Sequence, residues 1–416
     1  MIAKEAERCL NCNIPKCVEG CPINNRIPEF ISKIKDNDYK EAYKIIHSVS
    51  PLGAICGRIC PHEKQCQGNC VRGIKEQPIS IGTLESFVCD WARENNIKIN
   101  YDIVENNIKV AIVGAGPSGI ACAVDLRKLG YDVTIYEKEK FLGGILMYGI
   151  PEYRLPKDIV IDVASDLLNM GIKIKLNTVL IDSLQNEEIK KEENEDKELI
   201  SIEALFEAGF KAIFLGIGSE KSNILSIEGI NLSGVIGANE FLKNKRECKN
   251  KKIIVIGGGN VAMDAARVAK KEGAEVTIIY RRSKEDMPAN KTEIEEAEKE
   301  GVQFIFKTNV TKINSKDGFS ISNIESDTGK IIETDYVVMA IGSTPNKKYL
   351  DEKFTLTEQD LVEIKDNYET SIPNVFAGGD LVQKKATVCM AIKNGKDAAK
   401  QIDKKIGKGI NRQINN

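Results

Sequence analysis

The residues able to do chemistry in this chain are mainly cysteines and glycines. Eight of its twelve cysteines fall within the first 70 residues. They form two groups, Cys9-x2-Cys12-x4-Cys17-x3-Cys21-Pro22 and Cys56-x3-Cys60-x5-Cys66-x3-Cys70. Gaps this short let several thiolates converge on one inorganic core, and a terminal Cys-Pro matches ferredoxin-type runs in which the fourth cysteine serves the other cluster. The spacing predicts two interleaved [4Fe-4S] clusters. Four thiolates also suit structural zinc, but zinc knuckles favour paired Cys-x2-Cys, which only Cys9 and Cys12 offer. A disulfide framework is the third reading. The two histidines add little: His47 lies on an apolar helical stretch with no cysteine beside it and reads as structural, and His62 sits in a group whose cysteines suffice without it.

The glycines make two fingerprints. Residues 109–137, KVAIVGAGPSGIACAVDLRKLGYDVTIYE, run from a buried strand through Gly114-Ala-Gly116-Pro117-Ser118-Gly119 into an apolar-periodic helix and a second strand. In such a βαβ unit the first glycine makes the tight turn, the second admits a pyrophosphate to the backbone amides, and the third lets helix and strand pack closely. The helix N-terminus adds partial positive charge. Glu137 ends the second strand, where a carboxylate accepts hydrogen bonds from a ribose. The second fingerprint follows the strand at residue 252, with Gly257, Gly259, Asn260, Val261 and Ala262 in the G-x-G-x-x-A form. Its second strand ends in Tyr280-Arg281-Arg282 instead of an acid. Arginine there attracts a 2′-phosphate that a carboxylate would repel, so NADPH is favoured over NADH.

The remaining elements must position these residues. Residues 27–49 and 83–94 carry helical periodicity and pack the cysteine-rich head. Phe-Leu-Gly143-Gly144 leads into MYGIPEYRLPK, too rich in Gly and Pro for a regular element and able to pass close to a flat ring. A helix from 158 and a strand at 172–176 follow, and the charge run 186–198 reads as a solvated surface segment. AIFLGIGS at 212–219 and YVVMAIGS at 336–343 are matching glycine-ended strands that mark crossings between two nucleotide domains. Near the end, a short strand runs into Gly378-Gly379-Asp380 and then a helix, returning the chain to its first nucleotide.

A chain of 416 residues, 29% of them charged and with net charge −2, fits two or three ordinary domains and shows no basic excess for nucleic acid or anionic membrane. No apolar stretch reaches membrane-spanning length, and a cytoplasmic protein is expected.

Taken in order, the two cysteine groups, GAGPSG, GIPEYRLPK, GGGNVAMD, RRSKEDMP and AGGD resemble the small subunit of bacterial glutamate synthase. They resemble equally the electron-input half of dihydropyrimidine dehydrogenase and the large subunit of ferredoxin-linked NADH/NADPH transhydrogenase. The resemblance implies an α/β protein with two Rossmann-like domains, the NADPH domain at 236–341 inserted into an FAD domain at 106–235 and 342–416, behind a helical iron-sulfur domain at 1–105. It implies FAD at Gly114, Gly116, Pro117, Ser118, Gly119, Glu137, Gly143, Gly144, Gly379 and Asp380, and NADPH at the second fingerprint and Arg281–Arg282. It also implies ligands Cys9, Cys12, Cys17 and Cys70 for one cluster and Cys21, Cys60, Cys66 and Glu85 for the other, leaving Cys56 free, where cysteine counting alone would use Cys56 and not Glu85.

The expected chemistry is hydride transfer from NADPH to the flavin, then single electrons outward through the clusters. Gly149, Ile150 and Pro151 are expected near the flavin, with Arg154 and Lys157 favouring its anionic reduced form; no general acid or base is assigned. Nothing resembles a site for a final substrate, so a partner subunit is expected: the glutamate synthase large subunit first, a dihydropyrimidine dehydrogenase catalytic subunit second, a ferredoxin-linked transhydrogenase or sulfur-compound reductase third. A disulfide reductase would need a redox-active cysteine pair beside the flavin. Cys122 stands alone on its helix and Cys248 precedes its strand. A non-enzymatic iron-sulfur sensor is the remaining alternative.

Overall fold

The computed structural model describes residues 2–181, 197–244, 246–350, 352–384 and 387–407, so the charge run at 186–198 lies almost wholly outside the described residues. The chain forms two compact units: Met1–Met147 with Glu152–Gly218 and Asn346–Asn416, and Tyr148–Pro151 with Ser219–Pro345.

In the first unit the head is built from helices Ile27–Lys35, Tyr39–Val49, Gly53–Ile59 and Ile81–Glu94. Pro28 suits a first helical turn because its missing N–H would be unpaired there. Asp38 starts the next helix by accepting from the Glu41 N–H at 3.1 Å. Phe30, Ile31, Ile34, Ile46, Leu84 and Val88 are buried on the facing stripes. Burying each contributes about 1.5–3 kcal/mol. Two glycines set how closely the last two helices approach: a Cβ on Gly57 would lie 2.8 Å from the Gly82 carbonyl oxygen, and one on Gly82 2.7 Å from the Gly57 oxygen. That close crossing brings Cys56 and Cys60 beside Glu85.

The rest of the unit surrounds a five-stranded parallel sheet, in the order Val375–Ala377, Ala212–Leu215, Lys109–Val113, Asp132–Tyr136, Lys173–Lys175. The four inner and first-edge strands are short, largely apolar runs because helices cover them, whereas the edge strand Lys173–Lys175 is mostly exposed. From Lys109–Val113 the chain first builds outward one way and later the other. The C-terminal end of that strand is therefore a topological switch point, where such sheets bind ligands. Helices Pro117–Lys128 and Val388–Ile406 lie against each other, and a Cβ on Gly395 would be 2.1 Å from the Ser118 carbonyl oxygen.

The second unit repeats the plan with a parallel sheet in the order Gln303–Phe306, Glu275–Tyr280, Lys252–Ile256, Tyr336–Met339, Val235–Gly237. An antiparallel ribbon of Val310–Ser315, Ile321–Ser326 and Ile331–Glu333 is added. This unit takes in residues 219–235, which the sequence reading assigned to the flavin domain. The cause is a long-range pairing of Lys221–Ser222 with Ser343–Thr344, which ties both crossings to this unit. The buried Arg267 guanidinium is held by Glu293 and Glu300, and the arginine keeps the Glu300 carboxyl at about 2.

Candidate functional site

The first fingerprint closes around its glycines. Gly114 has φ +95°, and a Cβ there would sit 2.6 Å from the Gly216 oxygen on the neighbouring strand. On Gly119 a Cβ would lie 1.9 Å from the Gly114 oxygen, so the helix presses on the turn as the motif requires. Gly116 faces only the Gly216 oxygen, at 3.9 Å, and leaves backbone open at the start of the helix. The Gly143 N–H donates to the Ala115 oxygen at 2.8 Å, and Gly144 at φ +53° approaches the Gly116 Cα. From the far end of the chain, Gly379 at φ +73° would bring a Cβ within 2.7 Å of Ser118 Oγ. The glycines and Ser118 assigned to FAD thus meet in one place, and Asp380 follows Gly379, its carboxyl pushed up to about 6 by burial.

Glu137 is buried, and burial raises its carboxyl above the usual range. It accepts from the Ala115 N–H at 2.7 Å and the Glu139 N–H at 3.0 Å, locking the end of its strand to the fingerprint turn. Of the loop residues, Pro151 is buried and Arg154 half-buried. The Lys157 ammonium donates to the Leu146 oxygen at 2.8 Å, which pins the loop. Gly149, Ile150 and Pro151 group with the second unit, and Arg154 and Lys157 with the first.

The second fingerprint is more open. Gly257 at φ +145° would place a Cβ 2.2 Å from the Ala340 oxygen, and Gly258 packs on the Tyr280 ring. Gly259 has nothing within 4 Å of where a Cβ would be. Asn260 Oδ1 accepts from the Asn290 N–H at 2.8 Å and ties the helix start to the following loop, while Ala262 is buried beneath. Val261 stays 37% exposed, so the mouth of the helix faces open space. Arg281 and Arg282 are both exposed at the end of Glu275–Tyr280, with Arg282 near Asp286.

In the head, Cys9, Cys12, Cys17 and Cys70 line one cavity walled by Ile27, Ile31 and Ile81. Burial and the neighbouring Cys70 and Cys9 push the Cys17 thiol up to about 11. Cys21, Cys60, Cys66 and Glu85 are all buried, and the last two thiols and Cys21 act electrostatically on or with Glu85. Burial, then Cys21, pushes the Glu85 carboxyl up to about 8, while Asn25 Nδ2 donates to it at 2.8 Å. Asn25 Oδ1 is buried without a partner among the described residues. Such a set is costly to ionise unless a cation is present to gather it, which fits a metal-sulfur core. Among the described residues no three His, Cys, Asp or Glu side chains converge tightly enough to hold a single metal ion. Cys56 is buried in the same region, its carbonyl 2.9 Å from His62 Nε2. His47, also buried, pairs through Nδ1 with the Tyr101 hydroxyl at 2.7 Å, away from the cysteines.

Two contributors escaped the sequence reading. Asn394 Oδ1 accepts from the Gly379 N–H at 3.1 Å and so holds the glycine turn at the first fingerprint. Cys389 is buried in the first turn of Val388–Ile406, a helix that packs on the head helix Gly53–Ile59. Neither has a spacing signature, because both act far along the chain from what they touch.

Comparison with known proteins gives the family. Residues 108–395 match the pyridine nucleotide-disulphide oxidoreductase family, and residues 1–97 match dihydropyrimidine dehydrogenase domain II, 4Fe-4S cluster. The chain is 33% identical over 415 residues to the Escherichia coli NAD-dependent dihydropyrimidine dehydrogenase subunit PreT, covering 96% of this chain and 93% of that one. It is 30% identical over 438 residues to the small chain of Escherichia coli glutamate synthase [NADPH], covering 95% and 89%. The NADP(+)-dependent formate dehydrogenase subunit beta of Moorella thermoacetica is 32% identical, covering 94% of this chain and 60% of that one. Among solved structures, Lactococcus lactis thioredoxin reductase superposes with TM-score 0.54 at 22% identity, covering 72% of this chain and 98% of that one, a likeness of fold alone. No helix among the described residues is long and apolar enough to cross a membrane. The chain belongs to the pyridine-nucleotide oxidoreductase family shared by dihydropyrimidine dehydrogenase and the glutamate synthase small chain, and is an FAD- and NAD(P)H-dependent enzyme with an iron-sulfur head domain.

Proposed function

We propose that this protein is the cytoplasmic electron-input subunit of a larger oxidoreductase, oxidising NADPH and passing electrons to a partner subunit through FAD and two [4Fe-4S] clusters. In this reading the second unit is an NADPH domain inserted into the FAD domain. When bound, the flavin supplies the conversion of a hydride pair into single electrons, and the clusters supply their conduction. The chain's own residues bind and orient. Gly114, Gly116 and Gly119 expose amides to the FAD pyrophosphate, and Glu137 holds the turn and faces the ribose. Gly257, Gly259 and Asn260 do the same for NADPH, with Arg281 and Arg282 on its 2′-phosphate. Cys9, Cys12, Cys17 and Cys70 hold one cluster, and Cys21, Cys60, Cys66 and Glu85 the other. Four thiols that line one cavity suit a polynuclear metal-sulfur core. Twelve unpaired cysteines suit a reducing compartment.

The observation that carries the reading is that one chain holds both fingerprints and both cysteine groups. For the acceptor, Arg281 and Arg282 favour a 2′-phosphate, the nucleotide named for the glutamate synthase small chains, so the first choice is a glutamate synthase large subunit. A pyrimidine-reducing subunit is the second reading, supported by the PreT relatives and the match of the head. The chain, loaded with FAD and iron, is mixed anaerobically with each purified catalytic subunit and NADPH oxidation is followed. Turnover that needs the glutamate synthase subunit and its substrates supports the first choice. Turnover only with the pyrimidine-reducing subunit replaces it, and turnover with neither removes both.

A further inference from the structure

We infer that Asn25 is a positioning residue for the second cluster: its side-chain amide holds one oxygen of Glu85 and leaves the other to bind metal. The inference rests on the reading that Cys21, Cys60, Cys66 and Glu85 hold that cluster, and says how Glu85 would be presented to it.

Asn25 lies four residues after Cys21, in the turn that leads from that cysteine into Ile27–Lys35. The Asn24 N–H donates to the Cys21 oxygen at 2.8 Å and the Ile27 N–H to the Asn25 oxygen at 2.7 Å, so backbone hydrogen bonds fix the chain on both sides of this side chain. Asn24 itself takes the left-handed conformation at φ +51°, which asparagine tolerates. Glu85 stands 60 residues further on, in the helix Ile81–Glu94, whose approach is set by the crossing at Gly57 and Gly82. Between them Asn25 Nδ2 donates to Glu85 Oε1 at 2.8 Å. Both residues are buried, at 4% and 5% exposed. The amide therefore ties the turn that carries one proposed ligand to the side chain of another.

The two ends of the amide are unequal. Asn25 Oδ1 is buried with no hydrogen-bond partner among the described residues, an arrangement that costs about 1–3 kcal/mol. An apolar side chain of similar size would avoid that cost, so packing alone does not account for an asparagine here. Turned over, the amide would set its oxygen against the carboxylate and lose the bond. The nitrogen end is thus the one in use, and its bond to a carboxylate is charge-assisted and lies in a buried site, where such bonds are strong. Among the described residues the hydrogen bond to the Glu85 side chain is made at Oε1, so Oε2 is the oxygen available to metal. An outer partner of this kind orients a ligand and tunes it. A donor on the oxygen that does not bind metal draws charge away from the carboxylate, which favours the reduced cluster and raises its potential.

The test compares the full chain, loaded with FAD and iron, with its Asn25→Leu, Asn25→Ala and Glu85→Ala variants. Iron per chain and the midpoint potentials are read by EPR-monitored titration. Leucine fills the space of the amide without its donor. Alanine gives the reading should leucine disturb the turn, whose backbone hydrogen bonds do not use the side chain. The expected result is full iron in both Asn25 variants and a fall in the potential of one cluster, the same one that Glu85→Ala removes or alters. Potentials that stay unchanged or rise, or a shift confined to the other cluster, would overturn the role of Asn25 while leaving Glu85 as a ligand. Loss of one cluster's iron in both Asn25 variants would overturn it too, since Asn25 would then be needed to hold the cluster and not merely to orient Glu85. A Glu85→Ala variant with full iron and both potentials unchanged removes the underlying ligand assignment itself.

Discussion

The two glycine fingerprints share a motif and differ in how they are closed. At the first, elements from three parts of the chain converge: Gly216 on Gly114, Gly143 and Gly144 on the turn, and Gly379 and Gly395 on Ser118. At the second, Gly259 meets nothing and Val261 is partly exposed. The strand ends differ in the same sense. Glu137 is buried and hydrogen-bonded to its own turn, whereas Arg281 and Arg282 stand in solvent. On the proposed reading, a nucleotide at the first site would be enclosed by the fold and behave as a resident, and one at the second would enter and leave through an open mouth, as a cosubstrate must. Charge follows the same division, since exposed guanidiniums can capture a 2′-phosphate from solution and a buried carboxylate cannot.

Substitutions can break this contrast. The largest effect is expected from Gly119→Val, whose side chain has no room beside the Gly114 oxygen at 1.9 Å. Overpacking costs typically 1–3 kcal/mol or more. Purified Gly119→Val protein should carry less than about a tenth of the normal FAD by absorbance, since the displaced turn is the proposed binding site. Full flavin content would show that the first site is not closed in this way. Next comes a pair within the second site. Gly257→Ala should abolish rapid flavin reduction by NADPH while FAD stays bound, because its Cβ would meet the Ala340 oxygen at 2.2 Å; Gly259→Ala, with open space around it, should change the apparent NADPH affinity by only a few-fold. Equal damage from both would mean that the second mouth is not open.

Arg281→Ala with Arg282→Ala sharpens the charge difference. Each charge-assisted contact is worth about 1.5–3 kcal/mol, so the double variant should bind NADPH at least about tenfold more weakly and NADH almost unchanged. Stopped-flow reduction with each nucleotide measures both, and equal losses would refute the phosphate contact. The smallest effect is expected in the head, where Cys56→Ser should leave iron per chain unchanged. Loss of half the iron would transfer the eighth ligand position from Glu85 to Cys56.

Much of this was legible in the sequence because it is local. Each fingerprint is one strand, one turn and one helix, and the glycine conformations needed at Gly114 and Gly257 follow from the motif. The helices of the head follow from their apolar period, although Ile81–Glu94 begins two residues earlier than the expected 83, where Gly82 packs on Gly57. What stayed hidden is nonlocal. The second unit begins at Ser219 because Lys221–Ser222 finds its partner at Ser343–Thr344, a pairing that neither segment announces. Asn394 and Cys389 look like ordinary positions on an amphipathic helix until the fold sets that helix between the FAD turn and the head. Lys157 also donates to the Leu146 carbonyl oxygen, a contact that helical periodicity cannot foresee.

The proposed function requires electrons to enter at an open nucleotide site and leave through metal held by the head. Anaerobic titration of the iron-loaded chain with NADPH, followed by visible absorbance and EPR together, tests this most directly. The expected result is bleaching of the flavin band accompanied by signals of reduced clusters. Bleaching with no cluster signal, or a chain that carries neither flavin nor iron, would contradict it.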